Sequence, residues 1–281
     1  MGTLYLCPTP IGNLSDMTER VLEVLRSVDV IACEDTRTSL GLLSHYEIKK
    51  PLISYHKFNE QERSPELIRR LQGTADQPGE NIALISDAGM PAISDPGQIL
   101  VRKCHEAGIP VTALPGPCAF VTALALSGLD SRRFSFEGFL PTDKKEREEV
   151  LEALKTARGT TIFYEAPHRL KDTLKLLREP SGLRTAACVR EISKKFEEIR
   201  LGTIPELQAW FEENEPRGEF VILIEGVSDE VRQKQKAERF EDMSMEEHMA
   251  LYKDLPEKEA MKAVAKDRGI SKRDVYAALK K

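Results

Sequence analysis

The apolar positions of this chain keep two alternating rhythms from residue 3 to about residue 226. Short runs rich in β-branched side chains are separated by stretches whose apolar residues recur at helical spacing, the pattern of strand, helix, strand. The runs predict strands at Leu4–Cys7, Val28–Cys33, Leu52–Tyr55, Ile82–Ile85 and Val111–Leu114. Val21, Leu22, Val24 and Leu25 form a helical stripe, and further helices run through Leu67–Leu71 and Ile99–His105. Strands joined in this way imply right-handed crossovers and a largely parallel, doubly wound sheet.

The segment ALPGP at 113–117 breaks the pattern, which places a first α/β domain at residues 1–116. A small-residue helix, Ala119–Ser127, then opens a second α/β domain at 117–226. Its predicted strands are Phe134–Phe139, Thr160–Tyr164, Thr185–Val189, Glu197–Leu201 and Phe220–Glu225, with helices at about 144–157, 167–178 and 204–214. The fourth of these strands follows the third closely enough for a hairpin, so this sheet is expected to be mixed.

Beyond residue 226 the composition shifts, and residues 227–281 read as a linker and a basic helical extension. GVSDEVRQKQKAERF (226–240) is a charged linker or exposed helix. Three short helices follow, the last two at Glu257–Arg268 and Lys272–Leu279, with Ser271 as the N-cap of the last. They have a helix-turn-helix look, and residues 262–281 carry seven Lys or Arg against two Asp. Within a chain of net charge −5, that local excess is the one feature of bulk charge that favours nucleic acid.

Composition narrows the class. At 41% apolar and 31% charged the chain is globular rather than disordered, and no apolar run approaches the roughly 20 residues of a membrane helix. The N-terminus MGTLYLCPTP lacks the features of a signal peptide, so a cytoplasmic location is expected. Cys7, Cys33, Cys104, Cys118 and Cys188 are scattered with no CxxC pair, and no histidines form an HExxH. They read as small core residues, with neither a disulfide framework nor a metal site.

The chemistry must therefore lie in the loops that follow the strands, where ligands of open α/β sheets bind. These are PTPIGN (8–13), EDTR (34–37), HKFN (56–59), SDAGMPAISDPG (86–97) and LPGPCA (114–119). None is a GxxxxGK[ST] phosphate cradle, and no GxGxxG follows the first strand, which points to a ligand lacking phosphates. Prolines, glycines and carboxylates suit a neutral or cationic ligand held through backbone carbonyls and amides.

The set TPIGN (9–13), CEDTR (33–37), SDAGMPAISDPG, LPGPCA, FEGFLP (136–141) and FYEAPHRL (163–170) resembles one family in content and order. That family is the bacterial ribosomal RNA small subunit methyltransferase I group of the tetrapyrrole methylase superfamily, which methylates the ribose 2′-hydroxyl of a decoding-region cytidine in 16S ribosomal RNA. The resemblance spans Gly2 to about Gly226. Met90 and the Glu165-Ala166-Pro167 run depart from the family pattern, in which Thr and Glu-Ser-Thr are usual. It implies two α/β domains, S-adenosylmethionine in the cleft between them, a homodimer, and small-subunit RNA or the assembled 30S subunit as partner. It further implies that Pro10, Asp87, Ala88, Gly89, Met90, Cys118, Ala119, Phe163, Tyr164 and Val189 form the cofactor site.

A ribose hydroxyl needs a base to remove its proton, and the candidates are Glu34, Asp35, Glu165 and His168. Two acids side by side can raise one pKa, although one of the pair could instead cap a helix beginning near Thr38 while Arg37 pairs with the other. Arg37 and Arg169 suit phosphate, and Phe58 suits either a splayed base or the core. Ser94-Asp95-Pro96-Gly97 reads as a helix start, with Asp95 as cap or ligand contact. Two other readings stay open: C-methylation of a corrin precursor, and a non-catalytic nucleic-acid-binding protein led by residues 257–281.

Overall fold

The computed structural model describes residues 1–228, 231, 240 and 243–280, so most of the expected linker 226–240 lies outside the described residues. Two five-stranded sheets form the body. The first holds β1 (Leu4–Leu6), β2 (Val30–Cys33), β3 (Leu52–Ser54), β4 (Ile82–Ile85) and β5 (Val111–Ala113) in the order β3-β2-β4-β1-β5, all parallel. Its helices are α1 (Glu19–Ser27), α2 (Thr36–His45), α3 (Glu60–Gln72) and α4 (Gln98–Glu106).

Both faces of this sheet are covered, which is why its strands read as unbroken apolar runs rather than as alternations. Val30, Ala32, Ile82 and Leu84 pack with Leu67 and Leu71 of α3 and Leu100 and Cys104 of α4. Ile31, Cys33, Ala83 and Ile85 pack on the other face with Val21 and Leu25 of α1 and Leu43 of α2. β1 and β4 are neighbours, yet the helices that follow them, α1 and α4, lie on opposite faces. The strand order therefore reverses between these two strands, and a crevice opens at their carboxyl ends.

The second sheet has the order β6-β7-β10-β8-β9, from β6 (Phe134–Phe139), β7 (Thr160–Glu165), β8 (Thr185–Arg190), β9 (Glu198–Thr203) and β10 (Phe220–Ile224). It is mixed: β6 and β7 are parallel, β10 runs antiparallel to β7 and β8, and β8–β9 is the expected hairpin. α5 (Ala119–Ser127) covers one face, and α6 (Lys144–Thr156), α7 (Pro167–Ser181) and α8 (Ile204–Glu213) cover the other. The antiparallel course of β10 returns Glu219–Val221 to the end of β7, opposite Tyr164 and Glu165.

The extension forms helices Met245–Ala250, Glu257–Arg268 and Lys272–Leu279 around Met261, Val264, Ala265 and Val275. Ser271 caps the last helix in a capping box with Asp274. All five cysteines are free thiols, four of them buried, and burial pushes Cys7 and Cys188 up to about 12. Among the described residues no helix is long and apolar enough to cross a membrane.

A candidate active site between the two sheets

The loop after β4 cannot be helix or strand, and its dihedrals show what it is instead. Gly89, Ala92, Ser94 and Gly97 all have positive φ, at +83°, +68°, +67° and +141°. Ala92 and Ser94 hold strained conformations of the kind concentrated at ligand sites. Gly89 exchanges backbone hydrogen bonds with Thr9 (2.9 and 3.0 Å), and the Thr9 hydroxyl donates to the Ser86 carbonyl at 3.1 Å. A Cβ on Gly89 would stand 3.3 Å from the Ile11 side chain, so the positive φ favours glycine and any side chain would also have to displace Ile11 slightly.

Facing this wall, α5 begins at Ala119 after Cys118, whose side chain makes no capping bond. The Phe120 amide donates to the Tyr164 hydroxyl at 3.2 Å, which fixes the Tyr164 ring beside the helix start. Across the two halves, Ser193 donates to Asp16, and Lys194 runs over Gly12 to reach Glu191 (3.0 Å) and Glu219 (2.9 Å). These contacts enclose a cavity of about 490 Å³ lined from both sheets. A smaller cavity of about 340 Å³ adjoins the first sheet, bounded by Pro10, Asp87 and residues of α2.

Of the residues expected at the cofactor site, Ala88, Gly89, Met90, Cys118, Ala119 and Tyr164 line the larger cavity. Pro10 and Asp87 line the smaller one. Phe163 and Val189 line neither. Phe163 is fully buried against α7 and α8, because a strand's period of two turns it away from the face that Tyr164 presents. Val189 is fully buried in the core beneath α5, and its cross-strand partner Val221 lines the cavity in its place.

The candidate bases separate as clearly. Asp35 is the N-cap of α2, accepting from the Arg37 amide at 2.8 Å, and that hydrogen bond holds its carboxyl below the usual range. Of the two alternatives left open for the Glu34-Asp35 pair, Asp35 takes the helix cap, and a cap with a lowered pKa is a poor proton acceptor. Glu34 is the raised member of the pair: burial first, then the charges of Asp95, Asp87 and Asp35, lift its carboxyl above its ordinary value. Glu165 borders the cavity, but its oxygens accept from the Ala166 amide (2.9 Å) and the Thr173 hydroxyl (2.6 Å), and Arg169 lies at 3.5 Å. It is closed on its own helix rather than open to a substrate. His168 sits exposed on the rim in the first turn of α7.

Arg169 also donates to the Leu140 carbonyl at 2.7 Å, so the expected phosphate clamp is engaged within the fold. Arg37 points outward with its side chain 91% exposed, beside Asp35 at 3.5 Å. Phe58, weighed against a core position, is 94% exposed.

Two roles stood open for Asp95, helix cap or ligand contact. Asp95 caps nothing: α4 starts at Gln98 behind Gly97, which takes no side-chain cap. Asp95 lines the cavity instead, where burial, opposed by a hydrogen bond with Ser86 and aided by the charge of Asp87, pushes its carboxyl up to about 6. The second aspartate in a loop already rich in Gly and Pro was its signal, outweighed by the look of a cap before proline. Lys194 and Glu219 had none: the turn of the β8–β9 hairpin brings the first there and the return of β10 the second.

Comparison with known proteins agrees with this geometry. Residues 3–208 match the family model of the Tetrapyrrole (Corrin/Porphyrin) Methylases. The chain is 47% identical over 280 residues to the ribosomal RNA small subunit methyltransferase I of Bacillus subtilis (strain 168), covering 99% of this chain and 94% of the relative. The protein of that name from Escherichia coli O157:H7 is 44% identical over 278 residues, covering 98% of this chain and 93% of the relative. Among solved structures, diphthine synthase superposes with a TM-score of 0.63 at 13% identity, over 80% of this chain and 90% of its own. The methyltransferase CobJ does so at 0.61 and 16%, over 81% and 95%, and both likenesses speak to the fold alone. The chain belongs to the tetrapyrrole methylase family, within its ribosomal RNA small subunit methyltransferase I group.

Proposed function

We propose that this protein transfers a methyl group from S-adenosylmethionine to the ribose 2′-hydroxyl of a cytidine in the decoding region of 16S ribosomal RNA, acting on the assembled small subunit. The observation that carries this reading is one cavity walled by Ala88–Met90 and Cys118–Ala119, with the raised carboxyl of Asp95 in its lining; Glu34 lines neither cavity, but its carboxyl lies within reach of the charges of Asp95 and Asp87. The cavity's volume lies in the range of small-molecule sites. The residues present fit the donor. Backbone amides and carbonyls of both loops can hold its polar groups, Ile11, Phe139, Tyr164 and Val221 supply apolar and aromatic contact, and Asp95 offers charge to a cation.

The donor, when bound, supplies an activated methyl group on a sulfonium. The protein's part is to hold the acceptor oxygen in line at about 3–3.5 Å and to exclude water. Glu34 takes the proton of the 2′-hydroxyl, and its raised pKa brings it nearer the working pH than an ordinary carboxylate. Arg37, free of the core, meets a phosphate of the RNA. The basic extension adds further phosphate contacts through Lys272, Arg273 and Lys280.

A homodimer accompanies this reading. Val121, Thr122, Ala125 and Leu126 form one exposed face of α5, next to the half-exposed Phe134 of edge strand β6, and a second copy of the chain would cover them. Mapping 2′-O-methylated nucleotides in small-subunit RNA from cells with and without the gene tests the proposal. Loss of a single methylated cytidine in the decoding region is expected. An unchanged map, or no binding of S-adenosylmethionine by calorimetry, rejects it.

A further inference from the structure

We infer that Phe58 is a platform on which an unpaired base of the RNA substrate stacks, an inference that rests on the RNA-methylating reading above. Phe58 is the most exposed large apolar side chain among the described residues, at 94%. Among the described residues its one ring neighbour is His56, edge-on with centroids 6.2 Å apart. A ring left in water on a slack loop would mean little, but this loop is fastened on every side. The Asn59 side chain accepts from the His56 amide at 2.8 Å and donates to the Ser54 carbonyl at 3.2 Å. The amides of Asn59 and Glu60 both donate to the His56 carbonyl, at 2.9 and 3.1 Å. Glu60 then accepts from the Gly97 amide at 2.8 Å, which ties the loop to the segment that carries Asp95. The backbone that carries the ring is set in advance of any partner, so binding there costs little ordering of the loop.

The loop also leaves the sheet at the right place. β3 pairs with β2 at Cys33 and Ser54, and the Tyr55 amide donates to the Cys33 carbonyl at 2.8 Å. Residues 56–59 therefore emerge beside Glu34–Arg37, at the edge where the acceptor must enter. Lys57 is exposed next to the ring, and Arg37 is 91% exposed in the first turn of α2, which follows the neighbouring strand. A flat ring flanked by cations is how single-stranded nucleic acid is gripped, with bases on the ring and phosphates on the cations. A protein partner would call for a wider apolar patch around an anchor, whereas the chain neighbours here are Lys57 and Asn59.

Stacking of one base on an aromatic ring is worth about 1–3 kcal/mol by alanine substitution, which is roughly 5- to 150-fold in affinity. Phe58→Ala is therefore expected to raise KM for unmethylated small subunits by that factor, with kcat and S-adenosylmethionine affinity within twofold of the parent. Phe58→Tyr and Phe58→Trp keep a flat ring and restore KM, while Phe58→Leu, apolar but not planar, does no better than alanine. Restoration by leucine would point to an apolar contact with a ribosomal protein and overturn the inference, as would an unchanged KM for Phe58→Ala. A second measurement needs no methyl transfer. Phe58→Trp adds a reporter to a chain with one native tryptophan, and a single-stranded cytidine-containing RNA oligonucleotide is expected to quench it. Absence of quenching rejects stacking. If the parent protein methylates no RNA yet the quench is present, the functional reading fails while the platform stands.

Discussion

β2 and β7 each deliver a glutamate to the cleft edge of its sheet, Glu34 and Glu165, with a helix starting close behind and an arginine in its first turn. By sequence the two are equivalent candidates for a base. In the fold they part. Behind Glu34 stands Asp35, which caps α2 and engages Arg37, so Glu34 has no local duty and faces Asp87 and Asp95. Behind Glu165 stand Ala166 and Pro167, neither of which has a side chain able to cap α7. Glu165 turns back instead, accepting from Ala166 and Thr173 and lying beside Arg169. At α2 the cap role falls to the second carboxylate, which leaves the first uncommitted; at α7 no side chain caps the helix, and the lone carboxylate accepts from the amide of the N-cap residue and from Thr173.

The largest effect expected from this contrast is on rate. Glu34→Gln keeps shape and removes the proton acceptor, so kcat for small-subunit methylation should fall about 10²- to 10⁴-fold, with S-adenosylmethionine affinity and folding unchanged. Single-turnover assays with calorimetry read this directly. Retention of rate within threefold would show that Glu34 is as idle in the chemistry as Glu165, and the contrast would collapse.

The next effect is on stability. Glu165→Ala removes the acceptor for the buried Thr173 hydroxyl and for the Ala166 amide, and leaves Arg169 short of its partner. A loss of roughly 2–4 kcal/mol is expected, because buried polar groups left unpaired cost more than their hydrogen bonds are worth. Denaturant unfolding measures it, and kcat of the folded fraction should stay within a few-fold of the parent. A collapse of kcat without loss of stability would reverse the two assignments.

These assignments mark where the sequence was legible. Runs such as Ile82–Ile85 and the helix Ala119–Ser127 stand where the pattern put them, since burial on both sheet faces and small-residue helical spacing are local signals. The DAGM and PCA loops were legible for the same reason: Gly and Pro constrain the backbone wherever they stand. What escaped depends on contacts distant in sequence. Phe163 and Tyr164 are alike as text, and only the layer chosen by α5 decides which one meets the cavity. Asp95 and Asp35 both precede helices, yet Gly97 at φ +141° intervenes in one case, and the would-be cap becomes cavity wall.

Asp95 gives the smallest and most diagnostic effect, because its charge bears on Glu34, whereas Glu165 is committed to Ala166 and Thr173. In the folded protein its carboxyl is pushed up to about 6 from an ordinary 3.8, chiefly by burial. A carboxyl that holds its proton more tightly when folded favours the native state at low pH, and that advantage is lost as pH rises from about 4 through 6. Asp95→Asn should therefore leave stability unchanged near pH 4 and raise it above pH 6, by about 1 kcal/mol once the solvent exposure of the group is allowed for. The same substitution removes the largest charge acting on Glu34, whose pKa should fall toward its ordinary value. On the proposed reading activity needs Glu34 ionised and declines as pH drops through that pKa, so the acid limb of the kcat/KM profile should move to lower pH in Asp95→Asn. Thermal unfolding across pH checks the first half and the rate profile the second. An unmoved acid limb with the stability change intact would mean that Asp95 shapes the cavity without tuning the base, and that Asp35's capping alone sets Glu34 apart from Glu165.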